Sequence, residues 1–139
     1  MNVQKILFQT LGDCADVTAE LAASEINPAA PAIYDNWAQE WSEYPFIVCG
    51  FSTEYSQPYK SITRLELDLY TERDQQRANM IMQRVIGCLN NKKLFDETGA
   101  YYRFYYEGDG EVLTVDETIT NWNAAFTLVC WETKTPGSE

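Results

Sequence analysis

Five carboxylates between residues 66 and 116, Glu66, Asp68, Asp109, Glu111 and Asp116, come nearest in type and spacing to a reactive site. Paired carboxylates can hold a divalent metal for hydrolysis or serve as acid and base on a glycosidic bond. Glu66 and Asp68, however, alternate with Leu65, Leu67 and Leu69, which puts them on the polar side of an amphipathic strand, where solvated charge is ordinary. Gly108-Asp109-Gly110-Glu111 lacks the oxygen-ligand spacing of a calcium loop and reads as a hairpin turn. The sequence has no histidine, which removes Ser-His-Asp and Cys-His arrangements, most zinc sites and the commonest general base. None of the seven glycines falls in a phosphate-cradling pattern. The expectation is a chain that is not an enzyme and takes no metal or cofactor, with a carboxylate metalloenzyme as the alternative.

Cys14, Cys49, Cys88 and Cys130 are far apart and form no CxxC pair. Each has apolar neighbours, so they are expected as small core hydrophobes in a reducing compartment and not as disulfides.

The aromatic run Tyr101-Tyr102-Arg103-Phe104-Tyr105-Tyr106 could be a stacking platform for bases. Ten basic against 21 acidic residues leave a net charge of −11, which repels phosphate backbones and argues against that use. Strand alternation puts Tyr102, Phe104 and Tyr106 toward a core and Tyr101, Arg103 and Tyr105 on the other face. Two tyrosines flanking an arginine suit either a protein interface or an ordinary half-buried strand. Trp37 and Trp41, one helical turn apart, either anchor a partner or close the edge of a core.

The elements that position these groups fit one α+β domain over residues 1–134, with 135–139 as a loose tail. With 45% hydrophobic and 14% aromatic residues the composition is that of a folded globule. No apolar run approaches the roughly 20 residues that span a bilayer, and Ile6-Leu7-Phe8 is too short for a secretory core, so a cytoplasmic origin without membrane contact is expected. Val3, Ile6, Leu7 and Leu11 recur at helical spacing, with a break at Gly12 before Val17, Leu21 and Ile26. Asn27-Pro28-Ala29-Ala30-Pro31 stops the helix, and a short helical turn is expected between Asp35 and Glu43.

Phe46 to Phe51 reads as a buried strand, Ser52 to Lys60 as a polar loop, and Thr63 to Leu69 as the clearest strand. Thr71 is placed as the cap of a helix whose apolar stripe is Ala78, Ile81, Met82, Val85, Cys88 and Leu89. A strand from Tyr101 to Glu107, a turn at Gly108-Asp109-Gly110, a short strand from Val112 to Val115 and a long one from about Trp122 to Glu132 follow. The order implies a largely antiparallel mixed sheet with two main helices on one face.

Ala32-Ile33-Tyr34-Asp35, the approach Tyr44-Pro45-Phe46-Ile47-Val48, the alternating strand Arg64 to Tyr70 with its helix, Tyr101-Tyr102-Arg103, an acidic glycine-containing turn and the final strand Asn123 to Glu132 follow one another in a familiar order. Over roughly residues 30 to 132 this pattern resembles the tail terminator, or tail completion, proteins of long-tailed bacteriophages. The resemblance implies a mixed sheet flanked by helices, weakly associated alone, that closes into a hexameric ring on the tail tube. It implies three kinds of partner: other copies of the chain, the tail tube protein and the head-tail connector, with phage DNA passing through unbound. Location would be the virion tail, assembled in the host cytoplasm. Interface or lumen residues would be drawn from Glu54, Tyr55, Tyr101, Arg103, Tyr105, Asp109, Glu111 and Asp116, the acids making a lumen wall that does not hold phosphates. The segments Ser52 to Lys60 and Gly108 to Asp116 are those expected to order on assembly.

Two other readings share the composition. A head-tail stopper or connector of the same junction would have similar size, acidity and layout. A DNA-mimic inhibitor would spread carboxylates over one face, whereas Lys60, Arg64, Arg73, Arg77, Arg84, Lys92 and Lys93 interrupt the acids here.

Overall fold

A computed structural model of the chain describes residues 3–24, 30–35, 43–57 and 59–132. The alternation of Leu65, Leu67 and Leu69 with charged residues extends in both directions as β3, Lys60–Glu72. It pairs antiparallel along its whole length with β6, Ile119–Trp131, from Lys60 opposite Trp131 to Glu72 opposite Ile119. Around this pair the other strands complete a mixed six-stranded sheet of order β1-β2-β3-β6-β5-β4. β1 is Ile33–Asp35, β2 Phe46–Ser56, β4 Lys93–Phe95 and β5 Tyr101–Val112. The β1–β2 pair is parallel and the other four pairs are antiparallel.

One face of the sheet carries the helices. Leu65, Leu67 and Leu69 from β3, Tyr102 and Phe104 from β5, and Ala124, Phe126 and Leu128 from β6 are buried there together with Ile81, Met82, Val85 and Leu89 of α3, Gln75–Leu89. Ile6, Leu7 and Leu11 of α1, Val3–Gly12, and Val17 of α2, Ala15–Thr18, join the same core. This is the expected α+β arrangement, with the two longer helices on one side. α3 is fastened to the N-terminal helical segment by Glu20, which meets Arg84 at 3.3 Å and Arg77 at 3.6 Å. On the opposite face a smaller cluster of Ala32, Tyr34 and Phe46, with Val48 and Tyr70 against it, closes the β1–β2 side.

Several local expectations give way to longer-range pairing. Ser52 to Lys60 is not a loop: β2 continues to Ser56 and β3 begins at Lys60, because Ser52, Thr53, Tyr55 and Ser56 all find ladder partners in β3. Thr71 is not the helix cap. It is buried in β3 opposite Thr120, and the chain turns only at Asp74, whose carboxylate accepts the Arg77 backbone N–H at 3.0 Å. The turn expected at Gly108-Asp109-Gly110 is a β-bulge inside β5, where the register against β6 shifts between Tyr106 and Gly108. Gly108 has φ +151°, a conformation that a side chain resists, which is the use of glycine there. Val112 is the last residue of β5, and 113–118 make the real turn. Strands β1 and β4, three residues each, have no periodicity to announce them. The helical turn expected between Asp35 and Glu43, Trp37 and Trp41 with it, and the tail 135–139 lie outside the described residues.

Cys49 and Cys130 are the buried core thiols expected, and burial pushes the Cys49 thiol far up, with Asp35 and Asp68 adding to it. Cys14 and Cys88 depart from that expectation, because they form a disulfide joining the α1–α2 junction to the end of α3. Both sit at the edge of the core, half-exposed, where the two helical segments meet. The bridge closes a sequence separation of 74 residues, and loops of that order restrict the unfolded chain by about 4 kcal/mol. Reduction, or Cys88→Ser, should therefore lower the melting temperature by roughly 10 °C. Adding Cys14→Ser to Cys88→Ser should cost little more, a comparison that thermal melts of the two variants provide.

The β4–β5 turn is organised by Asp96. Its Oδ1 accepts the Thr98 hydroxyl at 2.6 Å, the Thr98 amide at 2.8 Å and the Ala100 amide at 3.0 Å, and its Oδ2 accepts the Tyr102 hydroxyl at 3.0 Å. The Thr98 hydroxyl foremost, with the other donors, holds this carboxyl below the usual carboxylate range, against an opposing effect of burial. A carboxyl so depressed contributes stability that is fully present above its unfolded-state pKa and is lost as pH falls through the folded value. Asp96→Asn should therefore flatten the loss of stability between about pH 5 and 2, read from urea midpoints across that range.

Candidate functional site

Two surfaces stand out, one on the face away from the helices and one at the far end of the β5–β6 ribbon. Alternation along β5 turns Tyr101, Arg103 and Tyr105 away from the helices, and the ladder sets them beside Trp131, Val129 and Thr127 of β6. The Tyr101 ring lies 5.2 Å from Trp131 and 5.1 Å from Phe95, between centroids. Lys60 Nζ stands 5.7 Å above Trp131, and the Arg103 guanidinium stands 4.9 Å from the Tyr105 ring. Arg103 also donates to Asn91 Oδ1 at 3.3 Å, while its Nε has no hydrogen-bond partner. The result is an aromatic row edged by cations, with Arg64 and Glu66 exposed beside it. Such a row offers a partner large, stiff contact area at little cost in conformational entropy.

The second surface is the hairpin tip. Beyond Val112 the ribbon turns through Leu113 and Val115, which are 94% and 105% exposed. Exposure of this kind on a loose loop would mean little, but this tip is held in place. The Thr114 hydroxyl donates to the Asp116 carbonyl at 2.9 Å, and Asp116 Oδ1 accepts the Thr118 amide and hydroxyl at 2.8 and 2.6 Å. Arg73 reaches across to the Glu117 carbonyl at 3.0 Å. The Thr118 hydroxyl, with its amide, holds the Asp116 carboxyl below the usual range, so the tip stays charged. Two apolar side chains are thus presented to solvent among Glu111, Asp116 and Glu117.

The eight residues singled out from the sequence do not form one site. Tyr101, Arg103 and Tyr105 share the open face. Glu111 and Asp116 are exposed at the ribbon's far end, Glu111 accepting Gln75 Nε2 at 3.0 Å. Glu54 is exposed in β2, and Tyr55 pairs through its backbone with Ile62 beyond a register shift. Asp109 faces the helix side. Its carboxylate accepts Trp122 Nε1 at 2.7 Å and Gln83 Nε2 at 3.2 Å, and takes a short hydrogen bond from the Tyr106 hydroxyl, whose pKa it raises. The bulge at Gly108 is what brings this side chain onto the helix side, where it ties β5 and β6 to α3. Leu113 and Val115 were not singled out, since an apolar pair within a strand-like stretch reads as core. The signal available was their position between Glu111 and Asp116-Glu117, acids that no core strand would carry so closely.

No family model matches the sequence, and no curated protein does. The fold is similar to that of a chain from the virion of a native gene transfer agent particle. The TM-score is 0.67 at 10% sequence identity, covering 93% of this chain and 94% of the other. Coverage this complete on both sides means that the two share one architecture from end to end, without a large insertion in either.

Removal of the Asp109 carboxylate should loosen the ribbon from α3. Asp109→Ala is expected to cost about 1 to 2 kcal/mol, because three donors lose a charged acceptor in a partly solvated setting. Asp109→Asn, which keeps one acceptor oxygen, should recover part of it, and urea unfolding of both variants is the check.

Proposed function

We propose that this chain is a structural virion protein without catalytic activity, and that it is the ring-forming terminator at the end of a tail tube. The observation that carries the reading is the fold likeness to a virion chain over nearly the full length of both molecules. The order of sequence features across residues 30 to 132, similar to tail terminators, supports the finer role. In that role copies of the chain close into a hexameric ring, stop tube growth, and offer their other side to the head connector. The aromatic row on the open sheet face and the apolar hairpin tip are the two surfaces available for such contacts. A net charge of −11 suits a ring that DNA crosses, since a negative wall does not hold phosphates. Glu54, Glu111 and Asp116 are exposed and are the acids we assign to that wall, Glu111 while accepting Gln75 Nε2, whereas the Asp109 carboxylate is taken up by three donors of its own subunit.

The cations on the open face, Lys60, Arg64 and Arg103, interrupt its acids and disfavour a DNA mimic. Co-expression with the tail tube protein of the same particle, followed by light scattering and negative-stain microscopy, tests the role. Rings of about six subunits capping short tubes are expected. Binding to a portal-side adaptor without binding to tubes would make the chain a stopper instead.

A further inference from the structure

The four cysteines fall into two classes. Cys49 and Cys130 are fully buried in the sheet, and burial pushes both thiols up, which keeps them from forming the thiolate that reacts. Cys14 and Cys88 are half-exposed where the three helices meet. Their Cα atoms are 6.5 Å apart, a separation at which two thiols join without movement of the backbone.

The same pair is accommodated with the bond open. At the end of α1 the Asp13 amide bonds the Gln9 carbonyl and the Cys14 amide bonds that of Leu11, which leaves the Thr10 carbonyl without a helical donor. Cys88 Sγ stands 3.6 Å from that oxygen, so a Cys88 thiol donates to it. Nor does the N-terminal segment depend on the bond for its place. Ile6, Leu7, Leu11 and Val17 are buried in the core, and Glu20 holds Arg77 and Arg84 of α3. Dithiol and disulfide are therefore two states of one fold.

The two sulfurs differ in access. Between α1 and β4 lies a cavity of about 440 Å³ whose walls include Cys14, Asp13, Lys92 and Phe95 but not Cys88. A reagent entering it meets Cys14 first. Lys92 favours a thiolate there and Asp13 opposes one, so access decides which sulfur reacts.

We propose that Cys14 and Cys88 are a redox site, in which Cys14 exchanges with a low-molecular-weight disulfide such as oxidised glutathione and Cys88 resolves the adduct. The Cys14 thiolate attacks one sulfur of oxidised glutathione, forms a mixed disulfide and expels a glutathione thiolate, which takes up the proton that Cys14 released. The Cys88 thiolate then attacks the Cys14 sulfur, the Cys14–Cys88 bond forms, and the second glutathione leaves as its thiol after taking the Cys88 proton. Two protein thiols are oxidised and one small disulfide is reduced to two thiols. The timing rests on the virion reading above: a chain assembled in a reducing cytoplasm carries the dithiol and closes the bond once the particle is outside.

Free full-length protein, reduced and then cleared of reductant, is mixed with oxidised glutathione and followed by mass spectrometry. A transient adduct of one glutathione on Cys14 is expected, then the intramolecular bond, with circular dichroism unchanged and Cys49 and Cys130 still free. Cys88→Ser should hold the adduct on Cys14, whereas Cys14→Ser should gain glutathione on Cys88 roughly tenfold more slowly. Equal rates for the two variants would overturn the assigned roles, and a bond that closes only in denaturant would overturn the site. Thiol alkylation of chains on tube ends, inside cells and again after release into buffer with oxidised glutathione, tests the timing. Passage from dithiol to disulfide is expected, and a bond already closed inside cells would overturn the timing alone. Failure to cap tubes would count against the reading above, while exchange on the free protein decides the site by itself.

Discussion

Thirteen consecutive residue pairs between β3 and β6 are the constraint on which the remaining structure depends. Because side chains alternate across a strand, one register decides both faces at once. Leu65, Leu67 and Leu69 meet Phe126, Ala124 and Trp122 on the helix side, while Arg64, Glu66 and Asp68 meet Thr127, Ala125 and Asn123 on the other. A slip of one residue would put three leucines in water and three charges under α3. Burial of each leucine contributes about 1.5 to 3 kcal/mol, so the correct register is strongly favoured. Thr71 is drawn into this ladder for the same reason, and the start of α3 is delayed past the ladder's end at Glu72 to Gln75, with Asp74 as its cap.

The ribbon formed by β5 and β6 outgrows the helical layer that covers its base. Tyr102 and Phe104 lie under α3 and α1, but Tyr106 is already partly exposed, and beyond it the helix side is held by polar contacts through Asp109 and Glu111. Those contacts, with the turn closed by Asp116 and Arg73, keep the tip ordered without burying it. An apolar tip can stay outside the core in an ordered state only when hydrogen bonds define it, and that is the condition in which it can serve a partner.

Charge and topology act together in the assembly reading. A chain this acidic gains little from indiscriminate self-association, because like charge on every copy opposes approach. The fold collects Lys92 and Lys93 at one end of β5 and the apolar tip at the other. The disulfide between Cys14 and Cys88 lies at the lysine end, where Cys14 lines the cavity between α1 and β4.

The central strand, α3, the final strand, the break after Gly12 and the sidedness of Tyr101, Arg103 and Tyr105 were all legible in the order of residues. Each of these depends on periodicity between near neighbours, which a linear sequence displays. The short strands β1 and β4, the extension of β2 and β3 through Ser52 to Ser56, the bulge at Gly108 and the Cys14–Cys88 bond were not, because each is settled by a partner distant in sequence. Gly108-Asp109-Gly110 has the composition of a turn, and only the pairing of Asp109 with Ala124 and of Gly110 with Asn123 makes it strand. Composition and spacing by themselves determined that this is an acidic α+β chain built around one amphipathic strand. Tertiary pairing decided where the ribbon turns and which side chains are left outside, because the energy of a ladder is gained only when both strands are present.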